Sequence, residues 1–429
     1  MVKRRTEVIA LCLVVLLYTG LIPVYSRNPF SCILPESSIK FLSGTVVSSP
    51  VKTSSGKSYS VVLSVSRAAS DVTQAACSGN VVLYIPASDI EALYPGKLYS
   101  SANIKSDSSG ANIPLIEEGC RLSVDVAYSG SADGDSLSIL SGNLEKPAYS
   151  VKCVSKCVWE QSLSYFRAFL RLQLKRLLAA WGVAGGLLLA LLCGAREYTD
   201  SSVSEAFRKA GLSHILALSG MHLSLFSGLS DKTAGKLVGR RFSPYLSLAA
   251  AFLFVWFAGI SPSLMRALIC MCVGFVVSRF GLRTTPFKTF SLAFIIHLLI
   301  SPEDAGSLAF MLSYLALCGV YVGDKFLKNP ICRILPPSLA SALSASIGAQ
   351  VLTLPLSIAI SSSIIPAAVF ASVVGSPVAS VFVTGGIIAI LFVLFMPFLL
   401  RPVGCIISLF YNVLTYIVRF FAGIPCIRI

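Results

Sequence analysis

The chain has 429 residues, of which 55% are hydrophobic and only 13% charged, whereas a soluble domain carries about 25% charged residues. That composition excludes a water-soluble monomer. The formal charge of +15 is unevenly placed: residues 27–150 hold 9 basic and 11 acidic side chains, residues 151–429 hold 23 and 8. An excess confined to the apolar part fits cytoplasmic loops that obey the positive-inside rule, and it fits a pathway for a polyanion.

The chain opens on Lys3, Arg4 and Arg5, followed by an apolar run from Val8 to Val24. Residues 1–26 are therefore expected to form a transmembrane helix with a cytoplasmic N-terminus. A signal peptide is the alternative, but no small-residue cleavage pattern follows Pro23 to Ser26.

Residues 27–150 differ in kind. Short runs such as Thr45 to Val47, Tyr59 to Val65 and Val81 to Ile85 lie between Ser, Gly, Asp and Pro, the pattern of strands joined by turns. The expectation is an extracytoplasmic β-rich domain, a compact barrel of the OB type. Cys32, Cys77, Cys120, Cys153 and Cys157 lie in or beside it. A disulfide among them is expected outside the cytoplasm, with the pairing open. Cys153 and Cys157 have no matching pair elsewhere, which argues against zinc.

Residues 151–176 read as an amphipathic linker helix. Leu163, Phe166, Phe169 and Leu170 fall on one face, and Arg167, Arg171, Lys175 and Arg176 on the other. Two placements stay open: a helix lying in the membrane surface, and the basic flank of a span.

Residues 177–429 are expected to form a polytopic α-helical membrane domain. Several of its apolar runs are shorter than the ~20 residues of a straight span, so some must be tilted, re-entrant or interfacial. Three basic clusters (Lys232 to Arg241, Arg279 to Lys288, Lys325 to Arg333) recur at every second loop. Placing all three inside requires that either 177–193 or 212–229 fails to cross.

The segment FRKAGLSHILALSGMHLSL, residues 207–225, puts Arg208, Lys209, His214, Ser219, Gly220 and His222 in or beside an apolar run. Such groups are costly at bilayer depth unless they face a cavity or a partner. Ser219-Gly220 invites an unwound turn, a common mark of a translocation path. His214 reads equally as an interior histidine bonded to a neighbouring helix. No metal is expected, since the chain has 3 histidines and two of them lie two helical turns apart in a run free of carboxylates.

The same segment resembles the signature of the ComEC-type competence channels, which carry DNA as a single strand across the bacterial cytoplasmic membrane. Three further segments follow in the family's order. WFAGISPSLMRALICMCVGF (256–275) is similar to its G-x-S-x-x-x-x-R-A helix, AFMLSYLALCGV (309–320) to its G-F-Q-L-S-F segment, and SIGAQVLTLPLSIAI (346–360) to its L-x-T-L-P-L segment. The resemblance covers about residues 177–398. It implies a channel for uptake of single-stranded DNA during natural transformation, with Arg208, Lys209, His214, Ser219, Gly220, His222, Arg266 and Ser313 along the path. Phe207, Trp256 and Phe257 are candidates for base stacking, against the commoner role of interfacial aromatics.

The sequence departs from the family in places. Met311 stands for the family's Gln and Ser372 for an Asn of its last motif. The last histidine is His297 and the sequence ends at Ile429, so a short form without the metallo-β-lactamase-like domain is expected. No cofactor is implied. The implied partners are single-stranded DNA, the lipid bilayer, a receptor, nuclease and ATPase acting in trans, and a homodimeric copy. Competing readings are a small-solute or lipid-related transporter and a non-transporting scaffold. No nucleophile, base and orienter set points to an enzyme, and no phosphate-binding G-x-x-x-x-G-K-[ST] loop is present.

Overall fold

The computed structural model describes residues 30–53, 56–71, 73–92, 115–132, 146–195, 198–281, 285–361 and 363–428. The N-terminal helix expected over 1–26 lies outside these. The chain divides into two compact units, one of residues 25–182 and 195–197, the other holding the remainder.

The first unit is built on strands β1 (Phe41–Val46), β2 (Val51–Lys52), β3 (Ser58–Ala69), β4 (Gln74–Ala76), β5 (Asn80–Pro86), β6 (Cys120–Ala132) and β7 (Lys146–Trp159), with a short helix α1 (Ala87–Glu91) after β5. Alternation drives closure: Tyr59, Val61, Leu63 and Val65 on β3 are buried, and Val81, Leu83 and Ile85 on β5 meet them. β1 pairs with β3 and β6, β6 with β7, β7 with β5 in parallel, and β5 with β3. These five strands form a ring in the order of an OB barrel, as the strand pattern predicts. The barrel shuts tightly at Gly44, opposite the point where β3 bulges at Ser66, and a Cβ on Gly44 would stand 2.1 Å from the Ser64 carbonyl oxygen. Cys32 and Cys77 form a disulfide, while Cys120 and Cys157 hydrogen-bond one another.

The residue bounds expected from the sequence need correction here. The last strand runs to Trp159 rather than stopping at 150, so residues 151–159 belong to the barrel. The amphipathic helix, α2 (Ser162–Ala179), begins after that strand and packs its cationic face against the barrel. Its cations are turned inward: Arg171 and Lys175 reach Glu117 at 3.7 and 3.2 Å, and Arg167 reaches Glu118 at 3.1 Å. Leu163 and Phe166 are the exposed ones. The two contacts compensate the buried Glu117 carboxylate, since an unpaired buried charge costs several kcal/mol.

The second unit is helical: α3 (Gly182–Cys193), α4 (Ser201–Lys209), α5 (Ser213–Leu216), α6 (Gly220–Leu237), α7 (Ser243–Ala258), α8 (Pro262–Arg279), α9 (Pro286–Ile300), α10 (Leu308–Phe326), α11 (Lys328–Ile331), α12 (Pro337–Ser361), α13 (Ala368–Phe395) and α14 (Leu400–Ala422). The starts are written in the sequence. Ser261, Thr285 and Ser307 each accept a backbone N–H at the head of α8, α9 and α10, and Pro262 and Pro286 occupy the first turn.

Among the described residues, five segments are long and apolar enough to cross a membrane: Pro262–Arg279, Leu308–Phe326, Pro337–Ala359, Ala368–Phe395 and Pro397–Ala422. The protein is a multi-pass membrane protein with a small β-domain. α3 has 12 residues, a rise of roughly 18 Å against a hydrocarbon core of about 30 Å.

α10 and α12 make the closest crossing. A Cβ on Gly348 would lie 2.1 Å from the Gly319 carbonyl oxygen, and one on Gly323 2.1 Å from that of Ser344. Small residues let the two backbones touch, which is how helices associate where no hydrophobic drive exists between them. A short pairing of β8 (Ser363–Ile364) with β9 (Ile427–Arg428) ties the chain's last residues to the bend between α12 and α13.

Candidate functional site

The segment 207–225 is not one helix. α4 ends at Lys209, Gly211 turns the chain with φ +71°, α5 adds a single turn, and α6 begins at Gly220. Gly211 is obligatory in that corner, because a Cβ there would stand 2.3 Å from the Ala368 Cβ at the head of α13. The expected break at Ser219-Gly220 is a capped helix start: Ser219 and His222 form a reciprocal capping box, with the Ser219 N–H donating to His222 Nδ1 at 3.2 Å.

Around this break lies a cavity of about 1730 Å³. Arg208, Lys209, His214, Ser219, Gly220 and Arg266 all line it. Two predicted path residues do not. His222 is buried behind the wall as the cap, and Ser313 contributes its carbonyl, which accepts from Arg266 Nη1. Of the predicted stacking aromatics, Phe207 is fully buried on α4, and Trp256 and Phe257 sit on α7 outside the lining. Among the described residues no Phe, Tyr or Trp lines the cavity.

The wall's other side comes from residues not among the expected path residues. α12 contributes Ser346, Gln350, Thr353 and Ser357, and α13 contributes Ser372, Ser376 and Ser380. Their spacing of three or four residues draws a polar stripe down an otherwise apolar helix, a signal available in the sequence at the helical period. Pro377 on the same wall removes the helical donor to the Val373 carbonyl. The stretch Gly423 to Cys426 completes the lining, held there by β9.

Electrostatically the cavity has one sign. Arg208, Lys209 and Arg266 face it, and among the described residues no Asp or Glu does. Lys209 pairs with Glu205 at 2.9 Å on the outer surface of α4. Arg266 is held by neutral groups: the Ser313 carbonyl and the face of Tyr314, whose ring centre is 6.0 Å from the guanidinium carbon. Its charge therefore stays uncompensated, and an anion would be its natural counter-charge. His214 hydrogen-bonds the Gly211 carbonyl. The arrangement can admit and relieve an anionic chain, with hydroxyls offering neutral hydrogen bonds between widely spaced cations.

Over 130 residues the chain is 30% identical to ComE operon protein 3 of Bacillus subtilis (strain 168), an alignment that takes in 30% of this chain and 17% of that protein. No solved structure matches the chain. The family model described as "Competence protein" matches residues 191–429, more than half of the chain and all of the segments that line the cavity; the chain belongs to the competence protein family.

Proposed function

We propose that the helical unit is a passage for single-stranded DNA through the bacterial cytoplasmic membrane during natural transformation. The observation that carries the reading is the cavity: about 1730 Å³, three cations, eleven Ser, Thr, Gln and His side chains and no carboxylate among the described lining residues. Small-molecule sites run from about 300 to 1,000 Å³, so this space suits a polymer segment better than a compact solute. A strand carries one charge per nucleotide, and spaced cations relieve that charge without making a deep trap. Without aromatic platforms, the strand would be handled by its backbone, which is what a sequence-indifferent passage needs. The barrel is read as an extracytoplasmic module that receives the strand, and receptor, nuclease and ATPase as partners acting in trans.

The test is uptake of end-labelled DNA in cells that carry or lack the gene. Internalised label should vanish on deletion, and Arg266→Ala should lower it at least about tenfold, the value of one well-placed charge contact, while surface-bound DNA stays unchanged. Unchanged internalisation on deletion would sink the reading.

A further inference from the structure

Behind Arg266 lies a buried polar cluster outside the cavity. The Tyr314 hydroxyl is 3.1 Å from His297 Nδ1, and His297 Nε2 is 3.2 Å from a carboxylate oxygen of Asp304. His297 is fully buried, whereas the Asp304 side chain is about a quarter exposed in the turn between α9 and α10. Phe290, Phe294 and Phe310 pack around the Tyr314 ring.

We propose that Tyr314 is the positioning residue for Arg266, its hydroxyl tethered by His297 and, through His297, by Asp304. A carboxylate only accepts, so His297 Nε2 carries a proton and donates to Asp304. In the neutral ring Nδ1 is then an acceptor, and the Tyr314 hydroxyl donates to it at 3.1 Å, with the Ala293 carbonyl the longer alternative acceptor at 3.5 Å. That bond fixes the plane of the ring on which the guanidinium rests. The adjacent residue, Ser313, supplies the other anchor through its carbonyl. Arg266 Nε finds no acceptor among the described residues, so these two anchors from one turn of α10 decide where the charge sits. Its Nη2 points to Gly220, 3.5 Å from where a Cβ on that glycine would stand. The one carboxylate in the cluster is held away from Arg266 by the ring and the imidazole. The charge is thus located without being neutralised, as a cation serving a passing anion must be.

The consequence for transport rests on the channel reading, but the positioning does not, and the two are tested separately. In the detergent-solubilised full-length protein, Arg266 is modified with a dicarbonyl reagent and its labelling rate is read by peptide mass spectrometry. His297→Gln, Asp304→Asn and Tyr314→Phe should each speed labelling several-fold over the unsubstituted protein. Asp304→Glu should restore the slow rate, and the rate at Arg208, which lines the same cavity, should not move. An unchanged rate at Arg266 overturns the proposal; so does a parallel rise at Arg208, which would mean that the cluster only holds helices together. In uptake assays, His297→Gln should cost about tenfold alone, the worth of a hydrogen bond to a charged partner, and nothing further in an Arg266→Ala background. Additive losses would overturn the positioning role even where the channel reading survives. An Arg266→Ala protein with full uptake would overturn the place of Arg266 in the channel and leave the labelling result to decide the tether.

Discussion

The carboxylate of Glu117 and the ammonium of Lys175 meet at 3.2 Å with both side chains nearly closed to solvent. This contact joins the barrel to the helix that follows it. Burial alone would raise the Glu117 pKa, but the charges of Arg171 and Lys175 and a hydrogen bond from Ser49 outweigh it and hold the group at about 2, below its ordinary 4.5. A depressed acid stabilises the fold above its unfolded pKa. The contribution, on the order of 3 kcal/mol for a shift of this size, is complete above about pH 4.5 and is lost as pH falls through about 2. Glu117→Gln should therefore lower stability near neutral pH and flatten its acid dependence, as read by denaturant titration of the module at pH 7 and pH 3. A variant as stable as the parent at pH 7 would show that Arg171 and Lys175 find equal partners elsewhere.

Gly348 carries the second prediction. A Cβ there would overlap the Gly319 carbonyl oxygen and also stand 2.9 Å from Gly323 backbone atoms. No rotamer relieves a clash between two backbones, so α10 and α12 must separate along the wall of the cavity. Gly348→Val should cost more than about 2 kcal/mol, in the range of overpacked cores. The expected result is loss of folded protein in detergent thermostability measurements, whereas Gly385→Ala, which meets nothing within 4 Å, should be silent.

Ser372 tests the sign of the cavity. It lines the wall where, among the described residues, there is no carboxylate. A new carboxylate about 8 Å from a passing phosphate repels it by about 2 kcal/mol at an effective dielectric of 20. Ser372→Asp should lower strand uptake at least about tenfold, and Ser372→Asn, neutral and of similar size, should leave it within about twofold. Equal uptake by the two variants would show that the strand does not pass this face.

What the sequence made legible, and what it did not, divides along physical lines. Alternation at Tyr59, Val61, Leu63 and Val65 reports burial within one strand, so the barrel could be read locally. Four ordered segments located the wall that holds Arg208, His214 and Arg266. The helix α2 was harder, because its pattern defines two faces but not their partners. Arg171 and Lys175 turn toward Glu117, more than fifty residues earlier. His297 and Tyr314 likewise meet only through the packing of α9 on α10. The serines of α12 and α13 were legible at the helical period, yet each residue taken singly is unremarkable in a membrane helix.

His222 separates a path residue from a structural one. Its ring is buried and its Nδ1 accepts the Ser219 N–H at 3.2 Å, closing the capping box that starts α6 at the cavity. Glutamine is an ordinary residue at that position of a capping box, since its amide oxygen can accept the same N–H. His222→Gln should therefore retain uptake, while His222→Leu, which fits the buried site but cannot accept, should lose about 1 kcal/mol of cap and unsettle Ser219 and Gly220 on the wall. Uptake of labelled strand and thermostability, measured side by side, decide the matter. Loss of uptake in His222→Gln at full thermostability would place the imidazole itself in contact with the passing strand.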